Sequence, residues 1–383
     1  MDFRFSEEQE LLLQSLTELL QREAPESLIS ELDSKHEFPY KPWQALADNG
    51  ILGLGIPEEY GGTPADIQTL TLVCETLGKL AFPLGIIYSL GMITIRDILQ
   101  FGSPEIKDKV LTGFVRGDPP VALGITEPQA GSDAAALKTT ATFDGDEVIF
   151  NGQKMYCTLA KIARYILLMT RDPKGASPYD SITMWLVPTD TPGIRYNLLS
   201  KLGWWTVPTF EVFIDNARAP RDCLVGEMNC GWPQLMANFE IERLALCAAS
   251  VGAAEGAYED AAAYANQRMQ FGKPIGSFQA IQHKVTDMAI KIENMRHYIY
   301  RIAWMMDNGQ SVRHEHAMCK LYVAQAACEV SDDAMQILGG LGYMADHRVQ
   351  RLWRDLRLMR IGGGTDEIMY NIAGPQLLKR ATR

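Results

Sequence analysis

The sequence contains no CxxC pair, no cysteine directly next to a histidine, and no block of basic charge. Its seven cysteines, at positions 74, 157, 223, 230, 247, 319 and 328, are odd in number and scattered. That argues against a disulfide framework and fits reduced thiols in a cytosol. The six histidines include one close pair, His314 and His316. Two residues apart on a helix, these point to different faces, so no metal site is expected. With 36 Lys and Arg against 47 Asp and Glu, the formal net charge is −11. Nucleic acid and anionic membrane are therefore disfavoured as partners, because phosphate recognition needs clustered cations. There is no GxGxxG fingerprint, and the run Gly362-Gly363-Gly364-Thr365 has no lysine after it, which excludes a nucleotide-triphosphate loop. The most apolar run, Leu80 to Ile95, is shorter than a membrane span and carries Pro83, Gly85 and Gly91. The chain starts with an acidic helix signal rather than a basic segment before an apolar one, so neither a signal peptide nor a membrane anchor is expected. A cytoplasmic protein is the expectation.

What is present is enough apolar residue, 47% of 383, for a substantial core. The fold class expected is mainly α, with a small β-domain between two helical domains. Residues 1–119 read as helices, beginning with Ser6 as cap and Gln9 at the capping-box position. Gly50 ends a helix, and PEEYGGTP reads as a loop. The texture changes near Pro119. Over 120–226, short alternating runs such as TTATFDGDEVIFNG, RYILLMT, ITMWLV and FEVFI are separated by turn residues, which predicts a small sheet of hairpins. From 227 to 383 the pattern is helical again, broken at Arg268–Gly272, Gly339–Gly342 and Gly362–Gly364. The Ala- and Gly-rich AAEGAYEDAAAYA suits close helix contact, and Thr365 or Asp366 can cap the last helix.

One residue breaks the pattern of its helix. Leu235, Asn238, Phe239, Ala245, Leu246 and Ala249 share a stripe, and Glu242 lies in the middle of it. A carboxylate on an apolar face either finds a basic partner on a neighbouring helix or carries a raised pKa. Arg243 points about 100° away and is not that partner. Glu240 has Arg243 at helical spacing, so a partly solvated Glu240–Arg243 pair is expected.

The order of motifs TEPQAGSD, NGQKMYCT, ERL, RMQFGKPIGSFQ, QILGG and GGGTDEI, within a helical, β, helical arrangement, resembles the acyl-CoA dehydrogenase family over essentially the whole chain. NFEIERL, EDAAAYANQR and RLWRDLR place it nearest a bacterial branch that includes crotonobetainyl-CoA reductase. The resemblance implies FAD, an acyl-CoA thioester, a homotetramer and an electron-transfer flavoprotein as electron partner. The reaction it implies takes the α-proton of the acyl chain with a base and the β-hydrogen as hydride at flavin N5, giving the trans-2-enoyl thioester. Many members carry the base in a Tyr-Glu-Gly-Thr run near the C-terminus, but here Gly363 stands in place of that glutamate. In the isovaleryl-CoA and long-chain enzymes the base comes from an earlier helix, just before an arginine, and Glu242-Arg243 matches it. Glu242 is therefore the expected base, and the Gly363 amide the expected donor to the thioester oxygen.

The same resemblance implies the remaining contacts. Thr126, Tyr156 and Thr158 would meet the isoalloxazine ring, with Tyr156 in place of the family's usual tryptophan. Gly131 and Ser132 would meet the pyrophosphate, and Ser132 also the CoA. Arg268, Phe271, Gln279, Gln336 and Gly340 would hold the adenine half and pyrophosphate of the FAD in a neighbouring subunit, and Thr365 and Glu367 would be further cofactor contacts. Glu240 and Arg243 would meet the CoA. Leu123 and Gln129 depart from the family pattern near the flavin, and Trp204 with Trp205 are candidates for the border of an acyl cavity. The expected activity is an FAD-dependent acyl-CoA dehydrogenase. The alternatives are the same site run as an enoyl-CoA reductase, an oxygen-using oxidase, or a flavin-binding scaffold without activity.

Overall fold

The computed structural model describes residues 4–175 and 177–381. Six helices come first: α1 (Glu7–Glu23), α2 (Glu26–Lys35), α3 (Tyr40–Asp48), α4 (Ile67–Leu80), α5 (Phe82–Phe101) and α6 (Pro104–Val115). The capping box forms as the sequence indicates: the Gln9 amide donates to Ser6 Oγ at 3.2 Å, and the Ser6 amide to Gln9 Oε1 at 3.0 Å. The apolar run is longer as a helix than as a sequence pattern, because Pro83 sits in the first turn, where its missing N–H costs nothing. α5 thus has 20 residues, enough to cross a membrane by length, yet 83% of its apolar window is buried inside the protein.

The β-part corrects the expectation of a single sheet of hairpins. Its strands are β1 (Ala122–Gly124), β2 (Thr140–Asp144), β3 (Glu147–Thr158), β4 (Tyr165–Arg171), β5 (Ile182–Pro188), β6 (Ile194–Leu198), β7 (Thr209–Pro220) and β8 (Leu224–Val225). They form two four-stranded sheets, ordered β1-β4-β5-β8 and β2-β3-β7-β6. β1 runs parallel to β4, a pairing between strands distant in sequence that local alternation cannot reveal. Val148, Phe150, Ile166, Leu168, Trp185 and Val212 pack between the sheets.

The rest is α7 (Gly231–Gln267), α8 (Gln279–Asp307), α9 (Arg313–Leu338), α10 (Arg348–Leu356) and α11 (Asp366–Ala381). Where a plain helix end was expected after Gln267, the chain makes a small hairpin of β9 (Met269–Gln270) and β10 (Lys273–Pro274). α7 is packed by α4, α5 and α9 and is buried on most sides through its middle. The contact with α4 is backbone to backbone: a Cβ on Gly252 would lie 1.9 Å from the Glu75 carbonyl oxygen, and one on Gly78 would lie 2.1 Å from that of Ala249.

Trp204 and Trp205 join the β-part to the helices. The Trp204 amide donates to Asp355 Oδ1 at 2.6 Å and its indole to the Asp355 carbonyl at 3.1 Å. Trp205 stacks on His36 at 4.5 Å and lies 3.6 Å below the Arg354 guanidinium, which itself pairs with Asp33.

Candidate active site

Glu242 is 6% exposed, and its Oε2 has no hydrogen-bond partner. Burial pushes its pKa up to about 7, only partly opposed by the charge of Arg243. The structure brings no cation of a neighbouring helix into an ion pair with it among the described residues. Of the two outcomes open in the sequence, the raised pKa is the one realised. The expected Glu240–Arg243 pair does not form as a contact. Arg243 turns its Nε to the Gly363 carbonyl at 2.8 Å and covers the Phe239 ring at 4.7 Å, and it acts on half-buried Glu240 only through space.

A second carboxyl faces this one across the α5–α7 contact. Asp97 is fully buried, its Oδ1 accepts from Asn238 Nδ2 at 2.7 Å, and its Oδ2 is unpartnered. Asn238 is one helical turn before Glu242, on the same face. Burial raises Asp97 to about 8, with the Glu242 charge adding to the rise, so Asp97 keeps its proton where Glu242 has begun to lose its own.

The glycine turn closes over this part of α7. Gly363 and Gly364 have φ of +64° and +100°, a region that a glycine enters without cost. A Cβ on Gly363 would meet nothing nearer than Leu246 Cδ1 at 3.8 Å. Lys320 of α9 donates to the Gly364 carbonyl. Thr365 caps α11, its Oγ1 accepting from the Ile368 amide at 3.3 Å, while Asp366 is held by Arg360 at 2.8 Å and Gln325 at 3.2 Å. Glu367 is exposed in the first turn, where backbone N–H groups lack intrahelical partners.

Thr126, Tyr156 and Thr158 come together because the Met155 amide donates to the Thr126 carbonyl at 2.7 Å. Tyr156 has φ +57° at an irregularity of β3, and this turns its ring out to 65% exposure. Thr158 Oγ1 lies 3.4 Å from Thr209 Oγ1. Gly131 and Ser132 are exposed, and a Cβ on Gly131 would meet nothing within 4 Å. An open aromatic face beside hydroxyls and a glycine-bearing loop fits a flat ring with polar edges and a pyrophosphate, so the residues present fit FAD.

The loop rests on a residue pair that sequence reading missed. The Glu127 carboxylate accepts from the amides of Lys138 at 2.6 Å and Thr139 at 2.9 Å, from Gln129 Nε2 at 2.7 Å and from Lys154 Nζ at 2.8 Å. Burial raises Glu127, but Lys154 and Thr139 together hold it below its ordinary value. The available signal was parity: Val148, Phe150 and Lys154 alternate onto the buried face of β3.

The other expected cofactor residues lie elsewhere. Arg268 ends α7, Phe271 and Gly272 form the two-residue hairpin tip with φ of +51° and +78°, and Gln279 starts α8. Positive φ at both central residues is the I′ turn that matches strand twist. Phe271 is 92% exposed. Gln336 and Gly340 are exposed at the end of α9. From Glu242 to Arg268 along α7 is roughly 39 Å, beyond the reach of any side chain, so one copy does not bring its hairpin to its own Glu242.

Three family models match the chain in order: "Acyl-CoA dehydrogenase, N-terminal domain" over 6–118, "Acyl-CoA dehydrogenase, middle domain" over 122–217, and "Acyl-CoA dehydrogenase, C-terminal domain" over 229–378. The Escherichia coli (strain K12) protein named "Probable acyl-CoA dehydrogenase YdiO" is 48% identical over 380 residues, covering 99% of both chains. The solved structure of butyryl-CoA dehydrogenase from Megasphaera elsdenii superposes with a TM-score of 0.93 at 30% identity, over 99% of this chain and 100% of that one. A chain from work on the electron transferring flavoprotein of Acidaminococcus fermentans superposes with a TM-score of 0.95 at 32% identity, over 99% and 100%.

Proposed function

This chain belongs to the acyl-CoA dehydrogenase family of flavin-dependent oxidoreductases, with FAD as cofactor, and from that premise we propose that it interconverts an acyl-CoA and its trans-2-enoyl-CoA with Glu242 as base. The observation that carries the reading is the Glu242 carboxyl: buried, unpaired at Oε2, raised to about 7, and one residue from the arginine that holds the glycine turn. A carboxylate so placed is ionised near neutral pH and still has high proton affinity. When bound, FAD supplies the acceptor or donor of the β-hydride. Glu242 takes or returns the α-proton, and the surrounding apolar face keeps water from competing for it. The Gly363 N–H is the donor we assign to the thioester oxygen, stabilising the enolate-like charge that develops there.

Thr126, Gly131, Ser132, Tyr156 and Thr158 would hold the ring and pyrophosphate, with Thr365 and Glu367 as further contacts, and Glu240, Arg243 and Ser132 would meet the CoA. Arg268, Phe271, Gln279, Gln336 and Gly340 are assigned to the FAD of another copy, in keeping with their distance from Glu242. That assignment makes the protein a homo-oligomer, proposed as a tetramer. The proposed electron partner is an electron-transfer flavoprotein and the proposed location the cytoplasm. Direction follows the redox poise of the partner, since the same residues serve dehydrogenation and enoyl reduction.

The test is anaerobic bleaching of the flavin in the purified protein by short, branched, long and betaine-type acyl-CoAs, in the wild type and in Glu242→Gln. Bleaching that collapses in the variant, with FAD and thioester still bound, is expected. Equal bleaching in both would move the base elsewhere. A flavin untouched by every acyl-CoA but, when chemically reduced, reoxidised by enoyl-CoA would assign the reductase direction. Silence in both assays would refute the activity.

A further inference from the structure

Lys320 lies on α9 with 2% exposure, and its ammonium donates to the Gly364 carbonyl. Asp366 and Cys247 act on it only through space, and burial draws its pKa down to about 8. Removing an ammonium from water costs several kcal/mol, so a lysine held by one peptide oxygen needs a reason. His316, one turn earlier on the same helix, is fully buried with neither ring nitrogen partnered. Burial, Arg243 and Lys320 together keep it neutral. An imidazole therefore fills the space beside two cations without sharing their charge.

Both cations are aimed at one short segment. Arg243 of α7 holds the Gly363 carbonyl and Lys320 of α9 holds that of Gly364. In a trans peptide, C=O and the next N–H point in opposite directions. Fixing these oxygens therefore fixes and polarises the N–H groups of Gly364 and Thr365 on the other side of the turn, and it leaves the Gly363 N–H, in the peptide just before, only the rotation about Gly363 itself. Two successive glycines at positive φ have more alternative backbone states than any other pair, so without an external hold the turn would sample several orientations.

We infer that Lys320 is a positioning residue which, through the Gly364 carbonyl and together with Arg243, sets the orientation of the Gly362–Thr365 turn that receives the thioester. The inference rests on the proposed role of that turn. Lys320 touches neither substrate nor reacting atoms; it acts through the peptide it binds.

The full-length, FAD-loaded protein is compared with Lys320→Met and Lys320→Arg by two measurements. The first is acyl-CoA-dependent bleaching, resolved into a rate at saturating substrate and a KM. The second is amide hydrogen exchange over peptides spanning 360–368. Lys320→Met is expected to lower the saturated rate by about 10- to 100-fold, the scale of a roughly 1 Å misplacement, with KM changed much less. Exchange should accelerate over 360–368 and not elsewhere, and Lys320→Arg, which keeps a cationic donor, should restore much of both. An unchanged saturated rate, or acceleration spread over the whole chain, would overturn the inference. If no acyl-CoA bleaches the wild type, the rates are read instead from reoxidation of the reduced flavin by enoyl-CoA; silence in both directions defeats the functional reading, while local exchange still decides whether Lys320 holds the turn. Should Lys320→Met not fold, Lys320→Gln is read in the same way.

Discussion

A base that titrates near neutrality leaves a signature in the pH dependence of its reaction. With Glu242 at about 7, its ionised fraction rises from roughly one tenth to roughly nine tenths between about pH 6 and about pH 8. The saturated bleaching rate should rise roughly tenfold over that interval and then level off. Glu242→Gln should lose about 10²- to 10⁴-fold, the usual worth of a positioned general base, and lose the limb with it. Stability should move the opposite way. The folded pKa lies above the ordinary glutamate value of 4.5, so the wild type is fully stable below that value and loses stability as pH rises toward 7. The loss is at most about 3 kcal/mol. Glu242→Gln should therefore melt higher than the wild type above neutrality and show little difference near pH 4. The assay pairs stopped-flow flavin absorbance with thermal melts over the same buffers. A limb that persists in Glu242→Gln, or a midpoint near that of an ordinary glutamate, would refute the assignment of Glu242 as a buried base.

Further outcomes can be checked with the same protein. A carboxylate returned to the turn by Gly363→Glu in the Glu242→Gln background has room, since its Cβ meets nothing nearer than 3.8 Å. The left-handed backbone there costs a non-glycine residue roughly 1–2 kcal/mol, so the double variant should bleach at least about tenfold faster than Glu242→Gln alone; no gain would refute the geometry. Asp97→Asn should raise the melting temperature above about pH 8 and not near pH 4, because ionising Asp97 costs stability as pH climbs through its raised pKa. A gain of equal size at both pH values would contradict this. Lys154→Met should cost about 3–5 kcal/mol by leaving Glu127 buried without its cation, and should weaken FAD retention. A denaturant series and flavin release would measure both, and restoring part of the stability with Glu127→Gln would show the coupling.

Glu242 was legible in the sequence because one carboxylate on an apolar helical stripe is a contradiction that periodicity exposes. Lys320 carried the same signal, sharing its face with His316, Ala324 and Ala327, and Asp97 comes two residues after the most apolar run, at helical spacing from its buried Ile93. Their partners were not legible. A lysine that binds a backbone carbonyl of another segment, or an aspartate that meets an asparagine 141 residues away, leaves no local trace. The succession of helical, β and helical texture was readable from side-chain period, whereas the division into two sheets depends on the β1–β4 pairing across a crossover. The β9–β10 hairpin escaped notice because strands of two residues show no alternation.

The meeting of Gly252 with the Glu75 carbonyl makes α7 a datum against which the rest of the site is measured. It leaves no room for a side chain between the two backbones. Glu242 lies ten residues along the same rigid rod, roughly 15 Å away, and inherits its coordinates from that contact. A bulkier residue at position 252 would thus damage chemistry that it never touches. Tolerance at the reacting carbon is set at a joint between two backbones, where no reacting group is found.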